Sequence, residues 1–581
     1  MVFVYVPGVD SRGLWNPDEP RYAEVGREML QGGSWFVPQL NGRLYAQKPP
    51  LHFWTIAGFG WLGGGVDEVA ARLPAICAAL GATLLVYALG ARLFMPSAGL
   101  LAALAFATCA RILWQGRIGQ IDMTLAFFVV LAVSCWARAY QGERAWIWGF
   151  WLATGLATLA KGPAGLFPPL LSIAVHLAAG REWRELRALR FGRGLLVYLG
   201  VLACWLVPAT AIAGPGYLRT LIFGQTLHRY FATSEHPHAF YYYLTLPPGD
   251  FFPWFFLLPL AAVVAWRTSD EDGRRRLRFL LTWVVVTVVF FSLSPGKRGV
   301  YIVAIYAPLA LVAGAGLWAM ASSRLPSRRA LVASVAPVAV VATLVAVGLL
   351  LAERIEPEVA RLGEAVAMTG FLAALPMAVA ALIALVLAWR RRPLALARVL
   401  AAGMAVSAVL AVRTVLPLID PVKSAAPMAE RVAELVRPDE PLALYPMLEA
   451  GFLFYTGRTT IELQDQPLEA VLEYARGPGR RWLLIERVEL AAMPAPLPMV
   501  EVARDADWED GFVLLTTPPW PRTAVAQDGS GRHAASRRAS RTFPRSPIPE
   551  SRDGLRTPTA TRRSAGLYAA APAALAGAKR P

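Results

Sequence analysis

The chain is poor in charge: Asp, Glu, Lys and Arg make up 17% of its 581 residues, where a soluble domain carries about a quarter. Hydrophobic residues reach 56%, so there is too little polar surface to cover a molecule bathed only in water, and the excess needs lipid. Cysteine is scarce as well. The four present, Cys77, Cys109, Cys135 and Cys204, all lie inside apolar runs and read as small buried hydrophobes. That excludes a disulfide framework and a cysteine-based metal site. The chain also lacks a glycine-rich dinucleotide fingerprint and a P-loop pattern, so no nucleotide site is expected.

Long apolar runs are abundant. Val69–Phe94, Leu195–Ala213, Leu277–Ser294, Val300–Met320, Ala330–Ala352 and Gly370–Trp389 each approach or exceed the roughly 20 residues that cross a bilayer core. Hydropathy predicts about twelve crossings, centred near residues 82, 104, 130, 153, 171, 204, 258, 285, 310, 341, 380 and 406. The basic clusters Arg138/Arg144, Arg181–Arg193, Arg274–Arg278, Arg324–Arg329 and Arg390–Arg392 fall on every second connection. The positive-inside rule places those connections in the cytoplasm. The others, including the long loops 10–68 and 214–250, then face the periplasm of a bacterial inner membrane. Met1–Val9 is apolar but too short to span, which predicts either a partial first helix or a true start further upstream.

The character changes after Leu418. Residues 420–520 mix amphipathic helical patterns (Ala426–Val436, Leu468–Tyr474) with strand-like runs (Leu442–Tyr445, Trp482–Ile485, Phe512–Leu515). They predict a small periplasmic α/β domain behind a membrane domain of residues 1–419. The net charge of +17 is concentrated at the far end. From Arg522 to Pro581 there are twelve Lys and Arg against three Asp and Glu. Residues 521–581 are therefore expected to form a disordered basic tail. That tail lacks the interleaved aromatics of a nucleic-acid-binding arm, and no nucleic-acid partner is expected.

The first loop carries the chemistry. It holds Trp15-Asn16-Pro17-Asp18-Glu19-Pro20-Arg21-Tyr22-Ala23-Glu24, then Trp35-Phe36-Val37-Pro38, then Gln47-Lys48-Pro49-Pro50-Leu51. A carboxylate can orient or deprotonate an attacking hydroxyl. Arg and Lys hold a phosphate and stabilise it as it departs with negative charge. Lys161 interrupts an apolar stretch, where a cation is costly unless it meets an anion or a cavity. The bland alternatives are a snorkelling Lys161, an Asp122 favoured by a helix N-terminus, and an ordinary charged surface loop.

In order and spacing these segments resemble the signature of the bacterial aminoarabinose-type lipid A glycosyltransferases. That family is related to the protein O-mannosyltransferases and has the GT-C membrane fold. The resemblance runs from about Gly13 to Pro308, through Pro17–Glu24, Trp35–Gly42, Gln47–Pro50, Ile121–Leu125, Ala160–Pro163, Phe240–Tyr243, Phe252–Trp254, Ser294–Arg298 and Tyr301–Tyr306. It implies an α-helical polytopic membrane protein of about 12–13 transmembrane helices with a small C-terminal periplasmic α/β domain.

It further implies Asp18 and Asp122 as catalytic acids. Arg21, Lys48 and Lys161, with Tyr301 or Tyr306, would surround the phosphate of an undecaprenyl-phosphate donor, and Glu24 and His236 would contact substrate. Some members bind a divalent metal through a Glu where this chain has Gln47, a loss of charged oxygen that argues against an essential metal here. His238 lies two residues beyond the family's histidine position. The expected reaction is sugar transfer from a polyprenyl-phosphate donor to a lipid A, glycolipid, glycan or protein acceptor at the periplasmic face. The rival readings are a flippase or transporter of lipid-linked sugars, which leaves the motif-dense loop unexplained, and a binding or sensing protein built on the α/β domain.

Overall fold

The computed structural model describes residues 2–221, 224, 237–322, 325–352, 364–446, 448–463, 466–493, 496–505 and 511–518. The tail after residue 518 lies outside them, as does His236. The described chain is mostly helical. Its principal helices are α1 (Asp18–Leu30), α2 (Leu51–Gly63), α3 (Glu68–Leu93), α4 (Pro96–Thr108), α5 (Ile121–Tyr140), α6 (Trp146–Lys161), α7 (Phe167–Ala179), α8 (Trp183–Ala188), α9 (Phe191–Ala213), α10 (Leu258–Thr268), α11 (Glu271–Ser292), α12 (Tyr306–Ser322), α13 (Arg328–Leu350), α14 (Glu364–Trp389) and α15 (Pro393–Leu410). In lipid a helix satisfies its own backbone, which is why apolar runs of this length take that form. Side chains start several of them. Asp67 accepts from the Ala70 N–H at 2.7 Å, Asp270 from Gly273 at 2.8 Å and Ser327 from Ala330 at 3.2 Å, filling bonds that the helix start leaves open.

Each of the twelve expected centres falls within a helix, yet fewer of these helices are full spans. Among the described residues seven are long and apolar enough to cross a membrane, or up to nine if each of two bent pairs is one span. The shortfall has local causes. α4 has only 13 residues. α6 and α7 are bent by 83° where Gly162–Gly165 forms a 3-10 turn. The Tyr242–Asp250 segment meets Trp254–Thr268 at 101°. α11 opens on the arginines of its first two turns. The molecule is a multi-pass membrane protein.

Small residues let the spans approach closely. A β-carbon on Gly90 of α3 would come within 2.7 Å of the Gly99 α-carbon in α4, and one on Gly316 within 2.2 Å of the Ala261 carbonyl oxygen. The cysteines divide: Cys109 and Cys135 are buried, but Cys77 and Cys204 are exposed. The expectation of four buried thiols therefore fails for two, which sit on outward faces of α3 and α9 where lipid takes the place of a core.

The charged connections sort to two ends of the bundle. At one end Arg92 pairs with Glu143, Arg144 with Glu185, Tyr140 donates to Glu182 at 2.5 Å and Arg276 to the Leu93 carbonyl at 2.6 Å. The same contacts bring the α8 segment, which follows α7, beside the end of α5 and the connection to α6. Arg391 likewise donates to the carbonyls of Leu325 and Pro326. The first loop occupies the other end and is itself structured by α1, α2 and the hairpin β1 (Gln39–Leu40)–β2 (Arg43–Leu44).

That loop supports the C-terminal domain. Strands β3 (Leu442–Tyr445), β4 (Ile461–Glu462), β5 (Trp482–Glu486), β6 (Val500–Arg504) and β7 (Phe512–Thr516) form a sheet of order β4-β3-β5-β7-β6, parallel among the first three and antiparallel across β5, β7 and β6. β3, β5 and β7 are apolar on both faces. Leu442, Leu444, Trp482 and Leu484 meet Met428 and Val432 of one helix, while Ala443, Leu483 and Ile485 meet Val471 of another. A sheet covered on both sides reads as continuous apolar runs rather than alternation. The sheet domain leans on the first loop through Arg27, which donates to the carbonyls of Leu453 and Phe454, and Asn41, which donates to Glu462 at 2.7 Å.

Candidate active site

Asp18 opens α1, where a carboxylate is favoured by the helix dipole. Its side chain is 7% exposed, and Oδ2 accepts from Arg298 Nη2 at 2.9 Å and from Gln120 Nε2 at 3.1 Å. Burial pushes this carboxyl up. Arg298, with Arg21 and Lys48 behind it, more than offsets that and holds it below its ordinary value. Asp18 is thus a buried carboxylate kept charged by its neighbours.

The adjacent Glu19 has a different task. It is 1% exposed and pairs with Arg12 at 2.6 Å and Arg72 at 3.0 Å, while the backbone N–H groups of Trp15 and Gly119 donate to it at 3.0 and 2.9 Å. Those bonds fasten the first loop to α3 and to the segment before α5. Gly119 and Gln120, and with them Asp122, are thereby set against Asp18.

Asp122 is the second residue of α5 and Lys161 the last of α6. Because these helices run antiparallel, the two ends coincide and the side chains form a direct ion pair at 6% and 12% exposure. An acid at a helix start and a cation at a helix end each meet a favourable dipole. Gly162 lets the chain leave α6 at φ +69°, a region that favours glycine. The Lys161 ammonium lies 4.4 Å from the centroid of the Tyr301 ring, within cation–π range. Arg298 feels both Asp18 and Asp122, joining the two acids into one site.

The sequence left Tyr301 and Tyr306 undecided, and the geometry separates them. Tyr301 stands over Lys161. Tyr306 is fully buried and donates to Asp250 Oδ2 at 2.5 Å, with Arg111 on the other oxygen at 2.6 Å. Glu24 is 4% exposed and pairs with Arg27 at 2.7 Å, on the side of α1 that meets the sheet domain rather than with Asp18. Burial raises its carboxyl pKa despite Arg27. Gln47 accepts from the Tyr45 hydroxyl at 3.5 Å. Among the described residues no group of three His, Cys, Asp or Glu side chains stands close enough to hold a metal ion. His238 stacks on Tyr242, with ring centroids 4.2 Å apart, and its carbonyl accepts from Lys297 Nζ at 3.0 Å.

Arg298, Gln120 and Lys297 were not singled out from the sequence. Lys297 is 4% exposed and its ammonium also donates to the carbonyls of Ser294 and Pro295 at 2.7 and 3.4 Å, which shapes the turn that aims Arg298. A Lys-Arg pair just after a span, in the Ser294–Arg298 motif, was the available signal.

Four cations (Arg21, Lys48, Lys161 and Arg298) thus share the site with two acids (Asp18 and Asp122). The balance favours an anionic ligand.

Residues 1–218 match the dolichyl-phosphate-mannose-protein mannosyltransferase family. Among curated proteins, the undecaprenyl phosphate-alpha-4-amino-4-deoxy-L-arabinose arabinosyl transferase of Erwinia tasmaniensis is 32% identical over 315 residues, covering 53% of this chain and 56% of that protein. The protein of that name from Pseudomonas aeruginosa strain LESB58 is 33% identical over 325 residues, 54% of this chain and 58% of its own. The alignments thus span little more than half the length of these relatives. The fold is shared more widely: the crystal structure of ArnT from Cupriavidus metallidurans bound to undecaprenyl phosphate superposes with a TM-score of 0.77 at 23% identity, over 89% of this chain and 97% of that one. In its first half the chain is thus similar to the mannosyltransferase family and to the aminoarabinose-type transferases, and it shares the fold of the ArnT structure.

Proposed function

We propose that this protein transfers a sugar from an undecaprenyl-phosphate donor to a lipid A, glycolipid, glycan or protein acceptor. The observation that carries the reading is the excess of cations around two buried, ion-paired carboxylates at the end of the bundle opposite the arginine-rich connections. The names of the relatives, which transfer a sugar from such a donor, support it. The positive-inside rule puts the arginine-rich end in the cytoplasm and the site at the periplasmic face of an inner membrane.

In this mechanism the donor's lipid tail lies among the spans. Its phosphate is held by Arg21, Lys48 and Lys161, with Tyr301 beside Lys161. An acceptor oxygen attacks the anomeric carbon as the bond from that carbon to the phosphate oxygen breaks. The phosphate leaves with the bonding electrons, and its growing charge strengthens its bonds to the cations, which is where the barrier falls. Asp18 takes the proton of an attacking hydroxyl. An acceptor that is itself a phosphate has no proton to lose, and Asp18 then positions it. Asp122 pairs with Lys161 and aims it. No step calls for a metal ion.

The deciding experiment uses the full chain in proteoliposomes with a radiolabelled polyprenyl-phosphate sugar and extracted lipid A. Labelled lipid A is the expected product. Movement of the donor across the bilayer with no transfer to any acceptor would replace this reading with that of a flippase.

A further inference from the structure

The opposite end of the bundle holds a cavity of about 340 Å³ that the transfer reaction does not use. It lies between the end of α5, the start of α6 and the α8 segment. Its floor is apolar, built from Trp136, Ile147 and Leu189, which are 5%, 3% and 1% exposed. Its rim is charged: Arg144, Glu185, Arg187 and Arg190. The volume lies within the range of about 300–1,000 Å³ in which pockets hold small ligands.

The acids near this rim are already engaged. Glu185 takes Arg144 through both carboxylate oxygens, and Glu182 accepts from the Tyr140 hydroxyl and lies 3.6 Å from Arg275. Arg187 is exposed and has no ion-pair partner among the described residues, and Arg190 leans on the Trp148 ring at 5.5 Å. They belong to a run of five arginines, Arg181, Arg184, Arg187, Arg190 and Arg193, spaced every third residue. Trp183, which opens α8, and Phe191, which opens α9, are 55% and 49% exposed. Exposed aromatics beside arginines mark the level of the lipid headgroups.

We propose that this cavity binds an anionic phospholipid of the cytoplasmic leaflet, its phosphate on Arg187 and Arg190 and its glycerol and upper acyl carbons on the Trp136–Leu189 floor. The charge alone suits any phosphate. The apolar floor and the outward-facing aromatics favour one that arrives on a lipid. The site lies at the far end from Asp18, so it stands or falls independently of the transfer reaction.

The test is native mass spectrometry of the full chain released from nanodiscs of equimolar phosphatidylglycerol and phosphatidylcholine. Wild type is expected to retain phosphatidylglycerol over phosphatidylcholine by on the order of tenfold, equivalent to about 1.4 kcal/mol. Arg187→Gln with Arg190→Gln is expected to abolish that preference. Ala188→Trp, which fills the cavity and keeps both guanidiniums, is expected to abolish it too. Thermal unfolding of each variant in lipid-free detergent checks that it remains folded. Equal retention of the two lipids by wild type, or an unchanged preference in the double variant, overturns the proposal. Retention surviving in Ala188→Trp alone would place the lipid on the surface charges and outside the cavity. Displacement of the lipid by millimolar inorganic phosphate would make the site one for free anions.

Discussion

Arg298 Nη2 lies 2.9 Å from Asp18 Oδ2, a bond between residues 280 positions apart that joins the first loop to the connection between α11 and α12. Gln120 donates to the same oxygen. Both bonds end on Oδ2, which leaves Oδ1 for the acceptor in the proposed reaction. Two donors and a helix N-terminus hold it in place before any substrate arrives.

Asp18→Asn tests that arrangement first. The amide keeps the shape of the carboxylate but removes the charge that accepts a proton or aligns the acceptor. Transfer is expected to fall by about 100- to 1,000-fold, roughly 3–4 kcal/mol of barrier, with donor binding largely retained. A variant that transfers at near wild-type rates would remove Asp18 from the chemistry.

Arg298→Gln tests what keeps Asp18 ionised. Its carboxyl sits below the ordinary range, so the carboxylate persists until the pH falls through that lowered value. The acid limb of the wild-type pH–rate profile therefore lies below about pH 4, the usual Asp value. Without Arg298, burial loses its strongest opponent and the pKa rises. The limb of the variant is expected to move toward neutral pH, and one that stays put or moves lower would show that Arg298 does not set the charge of Asp18.

Much of this was legible in the sequence, and the reason is the bilayer. Apolar runs must be helices there, and basic connections choose a side, so all twelve expected centres fall in helices. Strands β3, β5 and β7 were readable as short apolar runs. The hidden parts depend on distant partners. Helices α1 and α2 lie in what reads as a loop: α1 buries the acids Asp18, Glu19 and Glu24 and so lacks a simple apolar stripe, and α2 is apolar all round but, at 13 residues, too short to read as a span. Arg298 joins the site only because the turn beside Lys297 brings it to Asp18. Tyr306 carries a functional residue type but is taken by Asp250, 56 positions away, which no local pattern discloses, whereas the Glu24–Arg27 pair is an i,i+3 contact that shows only once α1 is known to be a helix.

The Asp122–Lys161 pair gives a test that separates stability from chemistry. Removing Asp122 strands the buried Lys161, so Asp122→Asn alone is expected to cost about 3–5 kcal/mol; Lys161→Met is expected to cost less, because Arg298 still faces Asp122. The double variant leaves no orphan charge and is expected to regain most of that stability by thermal unfolding in detergent. It regains no transfer activity, because the cation beside the donor phosphate is gone. Recovery of activity along with stability would make the pair purely structural.

Glu19 and Asp18 are neighbours with opposite predictions. Glu19 sits between Arg12 and Arg72, each of them 5% exposed or less, and also receives two backbone N–H groups. Burial pushes its carboxyl up, but the two arginines outweigh this and hold it far below its usual value. The stability it supplies is therefore fully present above the ordinary Glu pKa, about 4.3, and is lost only as the pH drops through the depressed value. Glu19→Gln keeps the shape but strands two buried guanidiniums, for an expected loss of about 3–5 kcal/mol. Asp18→Asn strands only Arg298, which is 34% exposed and can turn to water, so it should unfold close to wild type. Thermal unfolding of the two variants side by side settles the division of labour. A Glu19→Gln protein as stable as wild type, or an Asp18→Asn protein as fragile as expected for Glu19→Gln, would reverse the roles assigned to these adjacent carboxylates.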